Sequence, residues 1–348
     1  MGGKVKPLAD FPCAASNLIA SLIASMTRVL FTEQDYRDVK LERGVLEAAG
    51  IELVLGNCKT EDALIAAGKD VDAFLIQFAP ITERVILELP QLGLVSRIGA
   101  GFDTVDTVAC AKHGVWVANS PDYGVGEVAT HALSLVLALI RNVIGYHRDV
   151  NAGTWHYLSS GKLRRASEMT LGIVGLGRIG KRMAHISRNT FKRVIACDPY
   201  LIDGDFPAYV ERADLGALFE ESDVVSLHTP LNDETRGMID ERVLRRMPPG
   251  SFLVNTSRGA VVTIDDLLDA LDSGILAGAG LDVLPVEPPP PESRLLGHPK
   301  VILTPHAAFF SEQSEIELRR KAAQNIVTWA KTGRPDYVVV KGTRRPRP

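Results

Sequence analysis

"LGIVGLGRIGKRMAHISRNTFKRVIACD", residues 171–198, decides how this chain folds. Its opening "LGIVG" is an unbroken apolar run, the pattern of a strand buried on both faces. Gly175, Gly177 and Gly180 follow at GxGxxG spacing and open a helix; "RVIACD" then reads as a second strand ending at Asp198, eighteen residues after Gly180. Strand, glycine turn, helix, strand and acid in that order are the context in which the spacing carries meaning. Gly175 permits the tight turn, Gly177 lets the backbone approach a pyrophosphate, and Gly180 lets the helix pack close to its strand. The N–H groups at the helix start then meet the phosphate oxygens. Asp198 can accept hydrogen bonds from the adenosine ribose hydroxyls and would repel a 2′-phosphate. The "PYLI" that follows it offers no arginine for one, so NAD is expected rather than NADP.

Outward from this unit the same alternation continues. Downstream lie helix "ADLGALFEES", strand "VVSLH", strand "FLVNTS", helix "IDDLLDALDSG", strands "AGAGLDV" and "VILTPH", and a last helix over 311–332. Upstream, "RVLF", "IELVL", "DAFLIQ", "LVSRIG" and "VWVAN" are strands separated by helical stretches, and a single long helix is expected over 124–152. Strands separated by helices imply parallel βαβ units, so the fold class is α/β, with two doubly wound units. "NSPDYGVGEVA", with Pro121, Gly124 and Gly126, is the expected hinge between them.

Bulk properties narrow the function. A length of 348 residues with 46% apolar and 23% charged side chains suits two globular domains, and a net charge of −3 gives no reason to expect nucleic-acid binding. The closing "KGTRRPRP" reads as a solvated basic tail, taken as 337–348. Cys13, Cys58, Cys110 and Cys197 are widely spaced, which favours reduced thiols in a cytoplasmic protein over a metal or redox site. "ALSLVLALI" is half a membrane span, so no membrane is expected. Residues 1–25, before "MTRVLF", read as a mobile N-terminal extension.

Arg258, Asp282 and His306 stand just beyond three of the downstream strands, where ligands of open α/β sheets bind. Hydride transfer to a ketone leaves an alkoxide that needs a proton, and histidine supplies one near neutral pH. A neighbouring carboxylate fixes the ring's tautomer. Glu287 is the acid held in a rigid segment, between Pro285 and the run Pro288–Pro291. Arg258 can hold a substrate carboxylate through two parallel hydrogen bonds and polarise the adjacent carbonyl.

"GIVGLGRIG", "HTPLNDET", "NTSRGAVV", "LDVLPVEPPP" and "LTPHAAF" together resemble the D-isomer-specific 2-hydroxyacid dehydrogenase family over Met26 to about Asp336. "SRIGAGFDTVD" and "LTPHAAFFSEQSEIELRRKAA" are most similar to its C-terminal-binding-protein-like branch. The resemblance implies a Rossmann-type NAD domain (124–308) inserted into a flavodoxin-like substrate domain (26–123 and 309–336). It implies His306 as proton donor, Glu287 as its partner and Arg258 as the ligand of substrate. Asp282 would hold the nicotinamide carboxamide, and Arg178 and Ile179 would lie on the pyrophosphate. Thr229 and Pro230 would flank the adenosine and ribose, with Thr256 and His306 completing the cofactor set. Arg97, Gly99, Ala100 and Gly101 would face the substrate, with Phe309 shaping its pocket. A small 2-oxo or 2-hydroxy acid is the expected substrate. A homodimer is expected through the NAD domain, with "GYHRDVNAGTW" in the connecting arm.

Two positions depart from the family pattern. Lys192 stands near the place of a usual glycine before "RVIACD", which predicts an altered helix exit, and Phe309 stands where the corepressor proteins of the C-terminal-binding-protein-like branch carry a tryptophan. Two other activities share the fold: an NADH-sensing scaffold, and phosphite oxidation. Formate oxidation is disfavoured, because a glutamine is expected where Glu287 stands.

Overall fold

Parallel strands cannot be joined by hairpins, so each apolar run of this chain must cross over a helix before pairing with another. A computed structural model shows the result for residues 27–347; the extension expected before Met26 lies outside the described residues. Among the described residues, those up to Pro121 join those from Ile316 onward in one unit, and Asp122–Glu315 form a second. These boundaries differ by a few residues from the expected ones, so Phe309 belongs with the second unit.

In the first unit, β1 (Arg28–Phe31), β2 (Glu52–Leu55), β3 (Ala73–Ile76), β4 (Leu94–Arg97) and β5 (Trp116–Ala118) pair in parallel in the order β2-β1-β3-β4-β5. That is the flavodoxin-like order. β3 is buried along its whole length, and Leu30, Phe74, Ile76 and Val95 form the centre of one core.

The second unit contains β6 (Thr170–Val174), β7 (Arg193–Cys197), β8 (Glu211–Arg212), β9 (Val224–Leu227), β10 (Ser251–Asn255), β11 (Leu276–Leu281) and β12 (Val301–Leu303). All are parallel, in the order β12-β11-β10-β9-β6-β7-β8. The strand order reverses between β6 and β9, the dinucleotide-binding topology. β6 and β9 are fully buried, as their unbroken apolar runs require.

The expected long helix over 124–152 is two helices, Val125–Ile140 and Val143–Asn151, bent by 57°. Asn142 breaks it, in the left-handed conformation at φ 46°, which asparagine tolerates better than most side chains. Gly145 accommodates the break, because a Cβ there would strike the Asn142 amide at 2.3 Å. Among the described residues no single helix is long and apolar enough to cross a membrane.

The basic tail is not a solvated end. Val338–Val340 forms β13, antiparallel to β5, and closes the first sheet. Beyond it, the Thr343 and Arg344 amides donate to the Gly114 carbonyl, Arg344 Nη1 donates to the Leu92 carbonyl at 2.8 Å, and Arg347 Nε donates to buried Asp72 at 2.5 Å. Composition alone suggested disorder. The cations are held because carbonyls and a carboxylate left by the first unit need donors.

The first unit also encloses an ion pair between distant segments. Arg319 donates to both oxygens of Glu42, at 2.7 and 2.8 Å, and to the Asp38 carbonyl at 2.6 Å, while its guanidinium lies 4.3 Å from the centroid of the Tyr36 ring. Glu42 is fully buried. Replacing Arg319 by alanine strands that carboxylate, at an expected cost of about 3–5 kcal/mol. Urea denaturation measures this, and a loss below about 1 kcal/mol would show that the pair is dispensable.

Candidate active site

The glycine turn is built by close approach. Gly175 has φ +89°, and a Cβ on it would lie 2.7 Å from the His228 carbonyl oxygen that follows β9. Gly180, in the helix Arg178–Ser187, faces the Gly175 carbonyl so closely that a Cβ would sit 2.0 Å from its oxygen. Gly177 differs: a Cβ there meets nothing within 4 Å, so the missing side chain leaves the approach to the helix N-terminus open. Having no side chain, Gly177 also cannot cap that terminus, and the first-turn N–H groups face outward.

Asp198 ends β7 and is held against this turn, accepting the Leu176 amide at 2.9 Å and the Tyr200 amide at 3.0 Å. The helix Arg178–Ser187 leaves through Arg188, which keeps right-handed helical backbone. The turn is closed by Thr190 and Phe191 amides on the Ser187 carbonyl, and the Lys192 amide bonds Met169 beside β6. Ile179 packs on the core beneath, and Arg178 Nε lies 2.7 Å from Asp122.

Thr229 and Thr256 follow β9 and β10 on the same sheet edge. Each has a buried hydroxyl oxygen with no hydrogen-bond partner among the described residues. A stranded buried hydroxyl costs about 1–3 kcal/mol. Two of them, after the two strands next to the glycine turn at the reversal of strand order, fit a polar ligand laid along this edge, as a dinucleotide would be. Pro230 is exposed, and its carbonyl accepts the Thr235 hydroxyl at 2.7 Å.

Beyond β10, β11 and β12 stand the ionisable residues. Asn255 orders the loop after β10: its amide donates to the Arg258 carbonyl and its oxygen accepts from Ser257. Gly259 presses this loop onto the segment after β11, where a Cβ would lie 1.9 Å from the Leu284 carbonyl carbon. Arg258 and the segment carrying Glu287 are thereby brought side by side. Glu287 accepts the Leu284 amide on Oε1 at 2.7 Å, and Oε2 lies 2.7 Å from His306 Nδ1. Burial pushes the Glu287 carboxyl up, but the hydrogen bonds from His306 and Leu284, with the charges of His306 and Arg258, outweigh it. They hold it below its ordinary value of 4.5. With Nδ1–H donated to the carboxylate, Nε2 is the ring atom directed to chemistry.

His306 stands on a turn held by Asp282. The His306 amide donates to the Asp282 carbonyl at 2.8 Å, and its φ is +53°. The Asp282 carboxylate, 2% exposed, accepts the Thr304 hydroxyl at 2.6 Å and the Ala307 and Ala308 amides at 2.9 Å each. Asp282, expected at the nicotinamide carboxamide, thus also holds this turn. Thr304 and His131 were not among the expected residues; His131 Nε2 lies 3.0 Å from Thr304 Oγ1. Thr304 lies inside the quoted "LTPHAAF", whereas His131 has no local signal. Phe309 packs edge-on against Tyr123, with ring centroids 6.1 Å apart.

The remaining predicted residues lie in the other unit, at the end of β4. Arg97 curls back to the Ile98 carbonyl at 2.7 Å, over Gly99, whose φ of +147° and lack of Cβ leave room for the guanidinium. The Ala100 carbonyl accepts the Asn119 amide at 2.7 Å, and Gly101 follows.

The signature of the NAD-binding domain of D-isomer-specific 2-hydroxyacid dehydrogenases matches residues 133–308, the stretch that carries the glycine turn, Arg258, Glu287 and His306. A glyoxylate reductase of Korarchaeum cryptofilum is 36% identical over 295 residues, covering 83% of this chain and 89% of the relative. A hydroxypyruvate reductase of Blautia hydrogenotrophica is 32% identical, covering 86% and 97%. Among solved structures, the D-lactate dehydrogenase of Aquifex aeolicus, complexed with NAD and lactic acid, superposes with a TM-score of 0.83 at 27% identity, covering 90% of this chain and all of that one. These relatives do not single out a branch. With the strand order, the glycine turn and the cofactor-domain signature in agreement, the chain belongs to the D-isomer-specific 2-hydroxyacid dehydrogenase family and is an NAD-dependent enzyme of that family.

Proposed function

We propose that the protein interconverts a small 2-oxo acid and the corresponding D-2-hydroxy acid, with His306 as the proton donor in reduction and acceptor in oxidation. The observation that carries this reading is the 2.7 Å contact between His306 Nδ1 and Glu287 Oε2, on the sheet edge that also holds the glycine turn. NADH, when bound, supplies the hydride. Gly175, Gly177, Gly180 and the N-terminus of the helix Arg178–Ser187 hold its pyrophosphate, Asp198 its ribose hydroxyls, and Thr229 and Thr256 offer hydroxyls along its length.

Arg258 binds the substrate carboxylate and polarises the carbonyl. His306 Nε2 delivers the proton to the developing alkoxide, while Glu287 holds the ring's tautomer and stabilises the imidazolium formed in the reverse direction. Arg97, Gly99, Ala100, Gly101 and Phe309 are proposed to contact the substrate. The names of the relatives make glyoxylate and hydroxypyruvate the first compounds to try.

A second copy of the chain is proposed to cover the exposed apolar arm. Trp155 is 86% exposed and Tyr157 75%; Leu158 next to them and Val143 and Ile144 at the start of the preceding helix are exposed too. A monomer cannot bury such side chains, and a homodimer through this arm would.

NADH oxidation with glyoxylate, hydroxypyruvate and pyruvate tests the activity. His306→Ala is expected to lose roughly 10²–10⁴-fold in kcat; turnover equal to wild type would remove His306 from the mechanism. Trp155→Glu combined with Leu158→Glu is expected to give a monomer by sedimentation, and an unchanged mass would place the interface elsewhere. Glu287 also predicts a pH dependence. Its folded pKa lies below the ordinary 4.5, so its stabilising contribution is present above that value and lost as pH falls through the folded pKa. The pair is about a third exposed, which limits the contribution to about 1 kcal/mol. Urea titrations of wild type and Glu287→Gln are expected to converge at acid pH and separate above it. A constant difference would contradict the ionised pair.

A further inference from the structure

The helix Val125–Ile140 packs on β10, β11 and the helix Arg178–Ser187 and buries Ala129, Ala132, Leu135, Val136 and Leu139. His131 sits at the rim of that apolar face, 26% exposed, with Nε2 3.0 Å from Thr304 Oγ1 and 3.5 Å from Asp282 Oδ1. Counting donors assigns its tautomer. Thr304 has one hydroxyl hydrogen, and the 2.6 Å contact with the Asp282 carboxylate uses it. The Thr304 oxygen can then only accept from His131, so Nε2 must carry a hydrogen. The direction toward Asp282 agrees, since a bare nitrogen lone pair would face a carboxylate there.

We infer that His131 is a positioning residue: its Nε2–H, donated to Thr304 and aimed at Asp282, ties the turn bearing His306 to the helix Val125–Ile140. The inference rests on the reading of His306 as the proton donor. The turn needs such a tie. His306 is a non-glycine residue at φ +53°, a conformation that costs about 1–3 kcal/mol unless its surroundings impose it. The Asp282 carboxylate imposes it through Thr304, Ala307 and Ala308, but all three belong to the turn itself. His131 contributes a donor from a different element and thereby anchors the assembly to the sheet-packed helix. Loosening that anchor misaims His306 without removing any group that touches substrate or nucleotide, and misplacement by about 1 Å can cost on the order of 10²-fold in rate.

The test compares His131→Met, which keeps bulk and removes the donor, with His131→Gln, whose amide can donate from a similar position. In the Met variant kcat for glyoxylate or hydroxypyruvate reduction is expected to fall roughly ten- to a hundredfold. KM and the NADH dissociation constant, read by fluorescence titration, should stay within about twofold, and the Gln variant should recover most of the rate. Wild-type turnover by the Met variant, loss of NADH affinity in place of kcat, or a Gln variant as slow as Met would each overturn the proposal. Nitrogen-15 NMR of the wild type reads the tautomer independently of activity: a proton on Nε2 of His131 supports the network, and one on Nδ1 alone overturns it. If instead no 2-oxo acid is reduced, or His306→Ala is as fast as wild type, the reading of the site fails, and the NMR result still decides whether the network exists.

Discussion

Strand β6 pairs with β7 on one side and β9 on the other, and the site depends on that reversal. Chain leaving β6 must turn one way and chain leaving β9 the other, which opens a crevice at their carboxyl ends. The Gly175 turn and the His228 carbonyl meet at its floor, at a distance no side chain would allow. The helix Arg178–Ser187 begins beside this gap, and Asp198 ends the neighbouring strand with its carboxylate on the Leu176 and Tyr200 amides. The ionisable residues after β10, β11 and β12 reach the same edge from the other side.

Close backbone approach is the recurring device. Gly180 against Gly175 draws the helix onto its strand, and Gly259 against Leu284 draws the Arg258 loop onto the segment carrying Glu287. The buried carboxylate of Asp282 works in the same direction by hydrogen bonding, gathering the turn after β12 so that His306 faces Glu287. A rigid parallel sheet, two glycine contacts and one buried acid thus set the geometry of a hydrogen-bonded His–Glu pair whose members are nineteen residues apart in the chain.

Much of this was legible in the residues. Apolar runs alternating with helices predicted both parallel sheets, and the GxGxxG spacing with Asp198 predicted the turn and NAD. Glu287 and His306 could be paired because proline-bound segments after adjacent strands have few places to go. Reading failed where the deciding partner was remote. "KGTRRPRP" looked solvated, yet Gly114 holds the Thr343 and Arg344 amides, Leu92 the Arg344 side chain and Asp72 that of Arg347. The helix over 124–152 looked continuous because asparagine at 142 is a weak breaker on sequence grounds; only its left-handed backbone divides the helix. His131 carries no local signal, because its partner Thr304 lies 173 residues on.

The sequence by itself determined the fold class and the identity of the nucleotide. Those depend on local periodicity and on the spacing of glycines and acid within one strand–helix–strand unit. Tertiary structure alone decided how each donor and acceptor is used: Asp282 on the turn after β12, Arg344 and Arg347 on the first sheet, His131 on Thr304. A hydrogen-bonding group carries no mark of its partner until packing brings the two within about 3 Å, and burial then makes that choice costly to change.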